Sequence, residues 1–205
     1  MDLTKNAVDK TVQKFGKLNI LVNNAGITGP QASIKDMEEE DYLKVINIDL
    51  NGTFFGMQAA IPELIKAGGG SIVNISSLAG LEYSAPTPNV VYPAAKFGNR
   101  GLTKAAAAQL AYDNIRVNAE LPGAVLTPLA KENNTEEALE NLQQMIPMNR
   151  LGRSEEISKM VLFLASDDSS FTTGCLWQYR STEDCNKKVH SLETKKDLVS
   201  LPIIL

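Results

Sequence analysis

Tyr92-Pro93-Ala94-Ala95-Lys96, with Ser76-Ser77 upstream, is the stretch whose side chains are best suited to chemistry. Positions four apart in a helix share a face, so Tyr92 and Lys96 would bring a phenol and an ammonium into one small volume. A nearby cation favours the phenolate, which eases proton exchange by a group type that otherwise titrates near ~10. Ser77 adds a hydroxyl able to hold a reacting oxygen by a hydrogen bond. The combination reads as acid–base proton transfer. Tyr-x-x-x-Lys alone also describes an ordinary solvated helix face, so the elements that carry these residues decide between the two.

Those elements alternate. Thr4 to Phe15 has Ala7, Val8, Val12 and Phe15 at near-helical spacing and stops at Gly16. Ile20-Leu21-Val22 is a buried-strand pattern that runs into the small-residue turn Asn23-Asn24-Ala25-Gly26. Glu38 to Lys66 carries Tyr42, Val45, Ile46, Leu50, Phe54, Met57, Ile61 and Ile65 on a 3.6-residue stripe, and Pro62 predicts a kink or an early end. Gly68-Gly69-Gly70 is a turn, and Ser71 to Ile75 is a second strand ending at Ser76-Ser77. A third helix holds Tyr92 and Lys96 and continues through the alanines 105–108. Asn114 to Ala119 is a third strand, and Pro122-Gly123 is followed by Val125 and Thr127, a plausible ligand lip. Lys131 to Met145 predicts a mobile helical segment over a pocket, and Glu155 to Ser166 a further helix begun by Ser154. Thr173-Gly174 opens a short last strand.

Alternating strands and helices argue an α/β fold, a Rossmann-like doubly wound parallel sheet. Ligands bind outside the carboxyl ends of strands in such sheets, and Asn24, Ser77, Tyr92 and Thr127 all fall at or just beyond those ends. Four separate signals therefore meet at one crevice. Of 205 residues, 43% are apolar and 21% charged, which suits one soluble domain. A net charge of −4 disfavours nucleic acid or an anionic membrane as partner and favours a small molecule. Cys175 and Cys185 lack metal-ligand spacing and no apolar run follows a basic start, so a cytoplasmic setting without a metal is expected. From about Tyr179 the composition turns polar and weakly periodic. The chain is expected to divide into a partial domain at 1–178 and a poorly ordered tail at 179–205.

The chain also resembles a known family, the short-chain dehydrogenases/reductases. The matching text is Asn23-Asn24-Ala25-Gly26, the segment from Asn47 to Phe54, Ile72 to Ser77, Tyr92-x-x-x-Lys96, Arg116 to Ala119, and Pro122-Gly123-x-Val125-x-Thr127. The resemblance implies interconversion of a secondary alcohol and a ketone with NAD or NADP by a homodimer or homotetramer. Tyr92 is then the acid/base, Ser77 its hydrogen-bonding stabiliser, and Lys96 the residue that assists Tyr92 and binds the nicotinamide ribose. Asp49 stands where the family has the asparagine of its proton relay. Asp2 and Leu3 look like the pair beside the adenine, Asn24, Ala25 and Gly26 like the turn against the cofactor, and Pro122, Gly123, Val125 and Thr127 like the wall around the carboxamide.

Ser77 and Tyr92 lie slightly further apart than is usual in that family, a difference a loop absorbs at little entropic cost. Family members begin with a strand, a glycine-rich turn onto a helix and two more strands. The chain is therefore expected to be an N-terminally truncated form with an atypical C-terminus, to leave Ile20-Leu21-Val22 as an exposed edge, and to bind nicotinamide cofactor feebly or not at all. The alternative is a catalytically inactive fragment that retains only a folding or oligomerisation surface.

Overall fold

A computed structural model describes residues 2–82 and 88–179, apart from the side chain of Asp2. Helix α1 spans Asp2–Phe15 and leads into strand β1, Ile20–Asn23. Helix α2, Glu39–Val45, carries Glu39, Glu40 and Asp41 in its first turn, where acidic side chains complement the helix dipole. It passes into a π-helical segment, Ile46–Asn51, and then α3, Gly52–Lys66. The expected stripe thus becomes one run of three parts, and Pro62 does not end it. Its neighbours Ala60 and Leu64 are fully buried, so packing holds the turn that the missing amide leaves weak.

Strand β2 is Gly70–Ile75, α4 is Val91–Leu110 and β3 is Ile115–Leu121. Gly69 sits at φ 129°, and a Cβ there would meet the Asn114 carbonyl at 2.5 Å, so this entry to β2 admits no side chain. Further along come β4, Val125–Leu126, and α5, Pro128–Asn133. Next are α6, Glu136–Gln144, β5, Gly152–Arg153, α7, Ser154–Ala165, and β6, Leu176–Gln178. The segment expected as one helix from Lys131 is split between α5 and α6. Thr127 and Thr135 open these two helices by accepting the Ala130 and Ala138 amides.

The main sheet runs β1-β2-β3-β6 and every pairing is parallel. Its α/β Rossmann-like architecture agrees with the alternation in the sequence. One face packs Val8 of α1, Met57, Ala60 and Leu64 of α3, and Ala107 and Leu110 of α4 against Ile72, Ile115 and Val117. The other face meets α7, where the Ser71 hydroxyl and the Arg116 guanidinium both donate to the Leu164 carbonyl. Among the described residues strand β1 forms an edge of the sheet, with Ile20 47% and Val22 40% exposed, as the family resemblance implied. Among the described residues no helix is long and apolar enough to cross a membrane. The expected tail lies, from residue 180 on, outside the described residues.

Candidate active site

Helix α4 delivers Tyr92 in its first turn and Lys96 one turn later. The side chain of Asn89 starts this helix by accepting the Tyr92 amide at 3.1 Å while donating to the Thr28 carbonyl at 2.9 Å. One asparagine therefore ties the helix start to the loop that follows β1. The Lys96 ammonium lies 5.4 Å from the centroid of the half-buried Tyr92 ring. Sequence spacing placed these two on one face, and the structure brings them together.

Lys96 is 4% exposed and its Nζ stands 3.1 Å from Oδ2 of Asp49, which is 0% exposed. Nζ also donates to the Ile75 carbonyl at 3.3 Å, at the end of β2. Among the described residues the Ile75 carbonyl is the one hydrogen-bond acceptor of Nζ, and its contact with Asp49 Oδ2 is an ion pair without a well-directed hydrogen bond. Asp49 is held in turn: its Oδ1 accepts the Ile27 amide at 2.8 Å, and its carbonyl accepts from Thr53 Oγ1 and Asn99 Nδ2, each at 3.0 Å. The π-helical segment turns this aspartate inward, and such local widening of a helix recurs at functional sites. Gly26 completes the packing, because a Cβ there would lie 2.9 Å from Asp49 Oδ2 and 3.2 Å from Lys96 Nζ.

Ser77 lies just past β2. Its Oγ accepts the Ala79 amide at 3.1 Å, which leaves its own proton to donate to a substrate oxygen. Beside it, Ser76 Oγ donates to the Lys96 carbonyl at 2.9 Å, and Gly80 sits so close to the same carbonyl that a Cβ would meet it at 2.6 Å. The Ser77 turn is thereby clamped onto α4. Pro122 and Gly123 border the same turn, with the Leu78 amide donating to the Pro122 carbonyl at 3.0 Å. Val125 begins β4, and the Thr127 hydroxyl oxygen is engaged as the cap of α5.

Asn24 and Ala25 are exposed beyond the carboxyl end of β1, next to Gly26. Asp2 and Leu3 are different. They form the first turn of α1, Leu3 is 85% exposed, and among the described residues no hydrogen bond or ion pair joins Leu3 to the cluster. Sequence reasoning also missed Asn89, Asn99, Thr53 and the Ile27 amide. An asparagine three residues before Tyr92 is a helix-start signal that could have been read; the other three are found only once Asp49 is seen to be buried.

Fold and site together define a Rossmann-like α/β protein with an acid–base cluster at the carboxyl edge of its sheet. A family model described as enoyl-(acyl carrier protein) reductase matches residues 2–178. The chain is 46% identical over 173 residues to the 3-oxoacyl-(acyl-carrier-protein) reductase FabG of Thermotoga maritima, covering 84% of this chain and 69% of the relative. It is 44% identical over 171 residues to a cyclohexanol dehydrogenase of an Acinetobacter species, covering 83% of this chain and 65% of that one. Among solved structures, levodione reductase superposes with a TM-score of 0.81 at 31% identity, over 87% of this chain and 71% of the other. NAD+-bound xylitol dehydrogenase does so at 0.78 and 32% identity, over 87% and 74%. The chain belongs to the short-chain dehydrogenases/reductases, a family of NAD(P)-dependent oxidoreductases.

Proposed function

We propose that this chain carries the site for interconverting a secondary alcohol and a ketone with NAD or NADP. The observation that carries the reading is the buried Lys96 ammonium, held by Asp49 and the Ile75 carbonyl beneath the Tyr92 ring. Tyr92 gives a proton to the substrate oxygen in reduction and takes it in oxidation. Ser77 donates a hydrogen bond to that oxygen with the proton its capping role leaves over. Lys96 supplies positive charge beside the phenol, and Asp49 fixes where that charge sits.

The residues present fit the nicotinamide half of the cofactor. Lys96 has donors beyond the one given to the Ile75 carbonyl to offer a ribose hydroxyl, Asn24, Ala25 and Gly26 offer an open turn, and Pro122, Gly123, Val125 and Thr127 form a wall across the crevice. When bound, the nicotinamide accepts or donates the hydride. Among the described residues no glycine-rich turn joins a strand to a helix in the way that cradles a pyrophosphate. Asp2 and Leu3 are kept as the adenine-side pair only by resemblance.

Phe54 and Ile65 of α3 and Phe97 of α4 are exposed apolar residues on helices that resemble the subunit-pairing helices of the family, which supports a homodimer or homotetramer. The match ending at residue 178 supports a domain at 1–178 and a separate tail at 179–205, and a cytoplasmic setting accords with the composition.

The test is hydride transfer over a panel of secondary alcohols and ketones by the full chain and by Tyr92→Phe. Activity lowered at least ~100-fold by the substitution, with thermal stability unchanged, supports the enzyme. Absence of activity in both proteins supports the second reading, an inactive chain whose surviving role is its α3–α4 surface.

A further inference from the structure

Glu120 has no part in the chemistry above. It is the sixth residue of β3, 0% exposed, and stands in register between Ile75 of β2 and Trp177 of β6. Among the described residues neither of its carboxyl oxygens has a hydrogen-bond partner, and neither does the buried hydroxyl of Tyr179, just past β6. The two groups face one another without closing a well-directed hydrogen bond. Burial pushes the Glu120 carboxyl up to about 7, and the Tyr179 phenol opposes that shift. Burial, then the neighbouring Glu120, pushes the phenol up to about 12.

The charged groups on the surrounding elements are engaged elsewhere. Lys96 of α4 pairs with Asp49, Arg116 of β3 donates to Leu164, Ser166 and Ser169, and Glu156 of α7 is bound to Arg150 and Arg153. Strand β2 brings Ile75 alongside, and the Ser76 amide just past it donates to the Glu120 carbonyl. Among the described residues Tyr179 is the titratable group that acts on Glu120.

A buried acid is tolerable while it keeps its proton, because a neutral carboxyl beside the phenol costs no more than a poorly bonded polar group, far less than a buried charge. As a carboxylate it has four acceptor positions and a single phenol O–H to fill them. The remaining demand is met by water, and water enters where the structure is weakest. That place is β6, among the described residues an edge strand of three residues, just past which the Tyr179 amide donates to the Leu121 carbonyl at 3.2 Å. The Tyr179 carbonyl in turn backs onto Gly123, where a Cβ would meet it at 2.8 Å. Tyr179, Gly123, Val125 and Ile157 line a cavity of about 300 Å³ behind the Pro122–Thr127 wall.

We propose that Glu120 and Tyr179 form a proton-operated latch on the carboxyl end of the sheet. With Glu120 neutral, β6 and Tyr179 stay seated against β3 and the Gly123 turn; with Glu120 ionised, they part from it and the wall loosens. The latch stands on its own geometry and does not depend on the catalytic reading. Its sign follows from proton binding: the folded chain holds this proton to higher pH than the unfolded chain does, so the closed arrangement weakens as pH rises through neutrality.

Trp177, the one tryptophan in the sequence, neighbours Glu120 across the β3–β6 pairing and stacks edge-on against Phe163, so it reports the state of β6. Its emission in the full chain, followed from pH 5.5 to 9, is expected to change once with a midpoint near 7. Glu120→Gln keeps the shape of the acid form without its titration and is expected to hold the low-pH spectrum throughout. Tyr179→Phe removes the donor that favours the carboxylate and is expected to move the midpoint upward. A flat wild-type titration overturns the latch, and so does the same transition persisting in Glu120→Gln. Should Glu120→Gln not fold, Tyr179→Phe decides: a midpoint unmoved or lowered overturns the proposal.

Discussion

Lys96 and Asp49 meet at 3.1 Å where both are buried, and a buried ion pair behaves differently from a surface one. Removing one partner strands the other charge in a low-dielectric setting, which costs far more than the net worth of the pair. Asp49→Ala leaves the Lys96 ammonium and the Ile27 amide both short of an acceptor. It is expected to lower unfolding free energy by about 3 kcal/mol in chemical denaturation. Asp49→Asn keeps an oxygen for the Ile27 amide and should cost less. An equal loss in both variants would show that charge, and not the Ile27 hydrogen bond, dominates the role of Asp49. Tyr92 is the opposite kind of residue: half-buried, starting a helix through its amide, and replaceable by phenylalanine without a cavity.

At the level of elements, the site is assembled from ends. The segments after β1 and β2 are tied to the start of α4 by Asn89 to Thr28 and Ser76 to Lys96, and the turn after β2 is tied to the end of β3 by Leu78 to Pro122. Helix α7 shows the same economy on the far face. Glu156 accepts the Arg153 amide at 2.8 Å while gripping Arg150 through both oxygens, and these donors hold its carboxyl down to about 2. A depressed carboxyl stabilises the folded chain above the ordinary carboxylate range of ~4.3, and that contribution is lost as pH falls toward 2. Thermal melts of the wild type and Glu156→Gln should therefore differ at pH 6, and the gap should close by pH 2. A gap of constant size would mean that packing of α7, not the ionised carboxylate, is what the substitution removes. The group is exposed, so the gap will be modest.

On the scale of the molecule, the sheet of four strands among the described residues has two edges, and they differ. Strand β6 is short, whereas β1 presents Ile20 and Val22 with one side of its backbone ladder open. An apolar edge of this kind is a template for pairing with another chain, and natural proteins blunt such edges with lysine. Val22→Lys is expected to change unfolding free energy by no more than about 0.5 kcal/mol, as is usual for an exposed position. The same change should slow the growth of light scattering on concentration. Unchanged scattering would place the self-association surface elsewhere, with the exposed phenylalanines of α3 and α4 next in line.

Much of this was legible in the chain itself. Alternating strand and helix patterns, the four-residue spacing of Tyr92 and Lys96, and the placement of Asn24, Ser77 and Thr127 after apolar runs depend on local periodicity, which a sequence carries openly. The sequence determined which groups are present and which end of the sheet they occupy. Only the tertiary structure decided that Asp49 closes on Lys96, that Leu3 stands apart, and that Glu120 lies unpartnered against Tyr179. Each of these joins residues far apart in the chain, or rests on burial that the packing of several elements creates. A π-helical turn, a missing hydrogen bond and a desolvated carboxyl leave no periodic trace, because they are properties of what surrounds a residue and not of its own type.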